Sequence, residues 1–239
     1  MKRIFVPTRS GSDWQPLLAK PTKHWKKRKS AMTAAACWEA TPSTFPSELS
    51  KVLNASGDAD LVDLKLLAAM PEWTTLLVGG DTASQTDVLA LARNDRGLCV
   101  VAVEAKVDED FGPTLGDKRK NPSPGQTERL GHLQRLLGVG ELPDDIRYQL
   151  VHRTASAILV AQEFHARTAV MLVHSFGSRD NLRADFDAFG KAMNGAKIVD
   201  NVLIVPSMDR PRLFLIWCDG DRRFLQSEVP SIIQMAAKR

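Results

Sequence analysis

Cysteine is scarce in this chain: Cys37, Cys99 and Cys218 are the only three in 239 residues, and they are widely scattered. No CxxC spacing occurs, so they read as reduced thiols of a cytoplasmic protein and as a poor zinc set. The five histidines (His24, His132, His152, His165 and His174) form no HExxH or other paired spacing, which argues against zinc chemistry. His174, at the end of an apolar run, reads as a satisfied structural histidine. There is no GxSxG elbow and no P-loop, which disfavours an α/β-hydrolase or a nucleotide-hydrolysing fold. No run approaches the roughly 20 apolar residues of a membrane helix. The opening MKRIFVPTRSGSDWQP lacks the apolar core of a secretion signal, so neither membrane nor export is expected. No internal repeat is found.

What is present is ordinary in bulk and uneven in detail. Hydrophobic content of 44% and charged content of 25% are those of a globular protein. The length allows one large domain or two small ones, and a single α/β domain with long connections fits the pattern better. The net charge of +4 is mild, but Lys20, Lys23, His24, Lys26, Lys27, Arg28 and Lys29 crowd together around Trp25. Such a run can neutralise phosphates and offer a stacking surface. A solvated lead-in to a helix accounts for it equally well.

Taken in order, residues 1–29 carry Pro7, Gly11, Pro16 and Pro21 and predict loop structure packed by Trp14, Leu17 and Leu18. Ser30 is a candidate N-cap for an alanine-rich helix over 31–40. Glu39 stands out near its end, either as a surface glutamate or as something more. Two further short helices are expected over 46–54 and 60–70, the second with Leu61, Leu64, Leu66, Leu67 and Met70 on one face and Pro71 ending it. Residues 75–78 form a short strand candidate. A loop rich in Pro, Gly and Lys follows Gly112, with Lys118, Arg119 and Lys120 able to meet a polyanion. An amphipathic helix is expected over 127–137 and a longer one over 144–166, favoured at its start by Asp144 and Asp145. On the longer helix Gln149, His152, Arg153 and Ser156 form a polar stripe beside the apolar one. Strands over 168–173, 198–205 and 212–218 and helices over 181–193 and 229–237 complete the prediction.

The chemistry concentrates between residues 85 and 112. Two apolar runs flank Arg93-Asn94-Asp95-Arg96-Gly97, whose Asn, Asp and Gly supply hairpin turn conformations. Asp87 opens the first strand. Glu104 and Lys106, two apart near the end of the second, point to the same face. Asp87 and Glu104, on adjacent strands, could converge on a hard cation such as Mg²⁺ or Mn²⁺, with the Ala105 carbonyl as a further ligand. Lys106 could then orient water or hold a phosphate. The plainer reading is a strand-entrance aspartate beside a same-face ion pair, and ExK spacings do recur by chance.

The order helix, three strands, helix, strand, with these acids in these places, resembles the PD-(D/E)XK nuclease superfamily. Asp87 matches its first acid, and sixteen residues (88 to 103) separate it from Glu104. Glu104 and Lys106 match the second acid and lysine. Glu39 matches the extra glutamate many members carry on their first helix, and Gln149 with Arg153 resembles the glutamine helix of the exonuclease-like branch. Two departures stand: Thr86, not proline, precedes Asp87, and Arg153 replaces the tyrosine of that branch, which leaves branch, substrate and polarity open. The resemblance implies a restriction-endonuclease-like αβββαβ core over about residues 31–175, its mixed central sheet flanked by helices. A basic extension (1–30) precedes this core and a C-terminal α/β elaboration (176–239) follows it. It implies Mg²⁺- or Mn²⁺-dependent phosphodiester hydrolysis in nucleic acid, DNA before RNA. Asp87, Glu104, Lys106, Glu39 and Gln149 would be the catalytic set, with Asp87 and Glu104 on metal. Lys26, Lys27, Arg28, Lys29, His152 and Arg153 would meet the nucleic acid. A homodimer is compatible with this. The alternatives are a non-catalytic nucleic-acid- or protein-binding module on the same fold, and an interaction protein whose acids are structural.

Overall fold

The computed structural model describes residues 7–177, 180–206 and 211–231. A 3-10 turn (Gly11–Leu17) and helices α1 (Pro21–His24), α2 (Ser30–Glu39) and α3 (Ser47–Ala55) precede three strands, β1 (Lys65–Thr75), β2 (Ser84–Asn94) and β3 (Gly97–Lys106). Helices α4 (Leu115–Arg119), α5 (Pro124–Leu137) and α6 (Tyr148–Glu163) lead to β4 (Thr168–Ser175). Then come α7 (Asp180–Ala192), β5 (Ala196–Val199), β6 (Val202–Val205), β7 (Arg212–Asp219) and a closing 3-10 turn, Arg222–Gln226.

All seven strands form one mixed sheet in the order β1-β2-β3-β4-β7-β6-β5. β3, β4 and β7 run parallel at its centre, and antiparallel pairs complete both flanks. The central strands are buried almost throughout and correspondingly rich in Val, Leu and Ile, as a strand covered on both faces must be. Alternation divides their side chains. Val88, Ala90, Val101, Val103 and Ala105 pack with the residues of α2 and α3, whereas Leu89, Val100 and Ala102 pack with those of α5, α6 and α7. The α/β class and the helix-flanked mixed sheet are therefore as expected from the sequence. No helix among the described residues is long and apolar enough to cross a membrane.

The hairpin forms where its turn residues predict. Asn94 pairs with Gly97, whose φ of 134° suits glycine, and Asn94 Oδ1 accepts the Arg96 N–H at 2.9 Å. The Asn94 amide also donates to the carbonyls of Ala59 and Val62, tying the hairpin tip to the loop before β1.

The segment expected as a helix over 60–70 is instead one tight turn followed by β1. The amides of Leu61 and Val62 both donate to the Asp58 carbonyl, but Asp63 takes a φ of 55° and ends the turn. From there pairing with β2 governs the backbone, and propensity gives way to tertiary contact. Pro71, expected to break the helix, lies inside β1 opposite Val88, a position proline tolerates because β1 is the edge strand. The strand expected over 75–78 is reduced to the end of β1. The long helix starts at Tyr148, later than expected, because Asp144 is occupied elsewhere: its carbonyl accepts from Gly116 and its carboxylate pairs with Arg119. The strand expected over 198–205 is two short strands, and a short helix, α4, occupies the loop after Gly112. The C-terminal helix expected over 229–237 falls largely outside the described residues.

Asp60, its carboxylate almost wholly buried, gathers Arg167, Arg212 and, at 3.6 Å, Arg96, joining the turn before β1 to β4, β7 and the hairpin. Charge-assisted hydrogen bonds of this kind contribute about 1.5–3 kcal/mol. Asp60→Ala is expected to lower unfolding free energy by about that amount in urea titrations; a loss indistinguishable from a surface substitution would show that the three arginines are adequately solvated without it.

Candidate functional site

The β2–β3 ladder ends at Val88–Val103, and beyond it the strands part. In the gap, Asp87 Oδ2 accepts the Ala105 N–H at 2.7 Å, so a side chain takes the place of the next ladder bond. A strand residue presents its N–H and C=O to the same neighbour, so the Ala105 carbonyl faces this gap as well. Alternation then places Asp87, Glu104 and Lys106 on the face that carries Leu89, Val100 and Ala102, under α6.

Helix α6 supplies the rest. Arg153 Nε donates to Glu104 Oε2 at 2.5 Å, and Gln149 Nε2 donates to Glu104 Oε1 at 2.7 Å. Lys106 Nζ lies 2.9 Å from Glu104 Oε1, donates to Gln149 Oε1 at 2.9 Å, and sits 5.1 Å from the centre of the Phe111 ring. Arg153 Nη1 donates to Ser84 Oγ at 2.7 Å, and Ser84 is in turn 2.9 Å from His152 Nδ1. The polar stripe of α6 is thus turned inward onto the end of β3. Glu104, Lys106 and Arg153 are all buried, at 3%, 5% and 8% exposure. Such a cluster survives only because each charge has partners, and deleting one would strand the others.

The sequence reading missed Glu72. Between the pairs Pro71–Val88 and Trp73–Thr86 it falls opposite Asp87, with a φ of 53°, a left-handed conformation costly for a residue other than glycine. Three carboxylates therefore lie near this opening, close enough for their charges to act on one another. Burial pushes Glu104 up, but Lys106 and Arg153 overcome it and hold the group at about 2. Asp87 goes the other way: burial and the Glu104 charge push it up to about 7, against Arg153 and Lys106. Glu72, raised by burial, Asp87 and Glu104, reaches about 9. His152 is held well below its ordinary value by burial and the adjacent Arg153. Both cations attend Glu104, and among the described residues no ion pair joins Asp87 or Glu72 to a base. These two acids are short of positive charge. Asp87, Glu104 and the Ala105 carbonyl offer oxygen donors of the kind a hard divalent cation such as Mg²⁺ or Mn²⁺ accepts.

Other expected site residues are placed differently. Glu39 does not join the cluster: its Oε1 accepts from Thr8 Oγ1 at 2.6 Å and Trp14 Nε1 at 2.7 Å, on a helix packed against the opposite face of the sheet. Its prominence in an apolar helix reflects a buried indole needing an acceptor. Arg153 and His152, expected to reach nucleic acid, are bonded inward to Glu104 and Ser84 instead. Trp25 is buried, donating to the Val229 carbonyl, and offers no stacking surface. Lys26, Lys27, Arg28 and Lys29 are exposed. Lys29 Nζ lies 3.8 Å from Glu109 Oε1, which also accepts the Ser30 N–H at 3.2 Å, so this run is docked onto the loop that leaves Lys106. Lys29, rather than Ser30, occupies the N-cap position of α2.

Fold and site together define a mixed α/β protein with a buried acid, lysine and arginine cluster at the carboxyl end of its central strand. The chain belongs to the family described as Domain of unknown function (DUF6946), whose profile matches residues 7–222. No curated protein and no solved structure matches it.

The raised acids have a measurable consequence. A carboxyl whose folded value lies above its unfolded one binds more protons when folded, so its stabilisation is complete below about 4 and is lost as pH rises. For the metal-free protein, stability is expected to fall between about pH 4 and pH 9 through Asp87 and Glu72. Glu104, depressed, acts oppositely and costs stability only as pH drops below about 4 towards 2. Urea midpoints measured across this range should flatten in Asp87→Asn and Glu72→Gln; unchanged slopes in both would remove the electrostatic account.

Proposed function

We propose that this protein is a divalent-metal-dependent nuclease of the PD-(D/E)XK kind, hydrolysing phosphodiester bonds in nucleic acid, with DNA the first expectation. The observation that carries the reading is the convergence of Asp87 and Glu104, from neighbouring strands, with Lys106 on the same face. The succession α2, β1, β2, β3, α6, β4, with α3 inserted before β1 and α4 and α5 before α6, supports it. Asp87, Glu104 and the Ala105 carbonyl would hold Mg²⁺ or Mn²⁺, with Glu72 close by. The ion would supply charge stabilisation at the phosphate and acidify water.

The chain's own residues do the remainder. Lys106 holds the water or the phosphate, its ammonium aimed by Gln149 Oε1 and kept from drifting by the Phe111 ring. Gln149 positions both Lys106 and Glu104, and so acts through them. Arg153 keeps Glu104 ionised although it is buried. The exposed Lys26, Lys27, Arg28 and Lys29, beside the Glu109 loop, offer phosphate contacts at the same end of the sheet.

A second reading, a binding module that does not cut, draws on one specific observation. Both oxygens of Glu104 are already engaged by Arg153, Gln149 and Lys106, so the arginine could stand in for a metal. One experiment separates the two. Purified protein is incubated with plasmid, single-stranded DNA and RNA in Mn²⁺ or Mg²⁺, beside Lys106→Ala, and metal binding is followed by calorimetry. The nuclease reading expects cleavage reduced at least about 100-fold in Lys106→Ala, with heat of binding lost in Asp87→Asn. Cleavage surviving equally in Lys106→Ala would sink the catalytic assignment, and no cleavage on any substrate would leave the binding module.

A further inference from the structure

The opposite face of the sheet holds a second convergence of ligating groups, unrelated to the acids above. Cys37 near the end of α2, Glu48 in the first turn of α3 and His174 near the end of β4 bring Sγ, a carboxylate oxygen and a ring nitrogen within 4.8 Å of one another. Cys37 and His174 are fully buried and Glu48 is half-buried. Sequence spacing had argued against zinc, because these residues are 11 and 126 positions apart and only the fold assembles them.

The contact lengths matter. Cys37 Sγ stands 3.4 Å and His174 Nε2 stands 3.2 Å from Glu48 Oε1. The imidazole contact lies at the long end of an ordinary N–H to oxygen hydrogen bond. Ligands about 2.3 Å (S), 2.0 Å (N) and 2.0 Å (O) from a tetrahedral ion are separated from each other by about 3.3–3.5 Å. The two spacings to Glu48, 3.4 and 3.2 Å, are close to such edges, and all three atoms lie within 4.8 Å of one another. The other ring nitrogen of His174, Nδ1, is buried without a hydrogen-bond partner. The same carboxylate oxygen also receives the Asp221 N–H at 3.4 Å, and Ser47 Oγ lies 3.3 Å from Oε2. Cys218 is the ladder neighbour of His174 and packs on the same face. Its thiol now rests 3.9 Å from the Asp219 carbonyl. Glu48, Cys218 and Asp219 line a cavity of about 470 Å³ that offers an entry path.

We propose that Cys37, Glu48 and His174 form a transition-metal site that takes Zn²⁺. A thiolate, an imidazole and a carboxylate are the donor types zinc accepts, whereas Mg²⁺ avoids sulfur. Binding releases the Cys37 thiol proton to solvent and uses the neutral imidazole, so no redox step is involved. The ion would clamp α2 and α3 onto the end of β4.

The probe is Co²⁺, added to the metal-stripped full-length chain. The expected result is one equivalent bound with a thiolate-to-cobalt charge-transfer band, bleached by Zn²⁺. That band is retained in Asp87→Asn and absent in Cys37→Ser. The all-oxygen cluster around Asp87 cannot produce it, so failure here and failure of the nuclease reading are distinguishable. Should Cys37→Ser not fold, Glu48→Gln keeps the test open: its Zn²⁺ affinity, read against a chromophoric chelator, should fall at least about tenfold. A folded wild-type chain with no thiolate band, a band unchanged in Cys37→Ser, or an affinity unchanged in Glu48→Gln overturns the proposal.

Discussion

Glu104 is the constraint around which the described structure is arranged. A carboxylate this deep in a protein would ordinarily take up a proton, because leaving water costs an ion several kcal/mol. It stays charged because Arg153 and Lys106 stand against it and Gln149 fills the remaining hydrogen-bonding capacity. Those partners come from β3 itself and from α6, so the ion cluster also fixes how the helix lies on the sheet. Once Glu104 is committed to carrying its charge, Asp87 and Glu72 cannot easily ionise beside it. Burial is the larger cause of their raised values, and the Glu104 charge adds to it.

The backbone is shaped to make this possible. β2 and β3 part after Val88 and Val103, and the Asp87 carboxylate occupies the space where a ladder bond would run. β1 bends through a left-handed residue at Glu72, at the level of the same opening. The register of β1 on β2 is unchanged on either side of Glu72, so the residue stays opposite Asp87. Ser84, whose hydroxyl receives Arg153 and faces His152, completes the inner wall from the first residue of β2.

What could be read from the sequence was whatever depended on periodicity within one element. Two-residue alternation puts Glu104 and Lys106 on one face, and helical spacing puts Gln149 and Arg153 on one stripe. Neither inference needed the fold. The hairpin was equally legible, because Asn94 and Gly97 state their conformations locally. Glu72 was hidden because the leucines of 61–67 have helical spacing, and only the ladder with β2 turns that segment into a strand. Glu39 misled for a related reason: its oddness was visible, but its partners, Thr8 and Trp14, lie 31 and 25 residues away. Arg153 was found on the right stripe and assigned the wrong direction, since spacing alone cannot tell a stripe facing solvent from one facing a buried carboxylate.

The two clusters share a logic of placement. β3, β4 and β7 are parallel, so their carboxyl ends lie together, and there the strands run out while helices still cover both faces. In open α/β sheets this is where ligands bind, because loops diverge and polar groups can replace ladder bonds. Alternation then sends Glu104 and Lys106 to the α6 side, while Ala105's neighbour His174, and Cys218 beyond it, go to the α2 and α3 side. A cation on the first side would satisfy acids that nothing else in the described structure pairs. One on the second would take the place of the 3.2 Å contact between His174 Nε2 and Glu48. The same strand ends thus present hard oxygen donors on one face and softer nitrogen and sulfur donors on the other, and that difference in donor chemistry would keep two metals apart within one sheet.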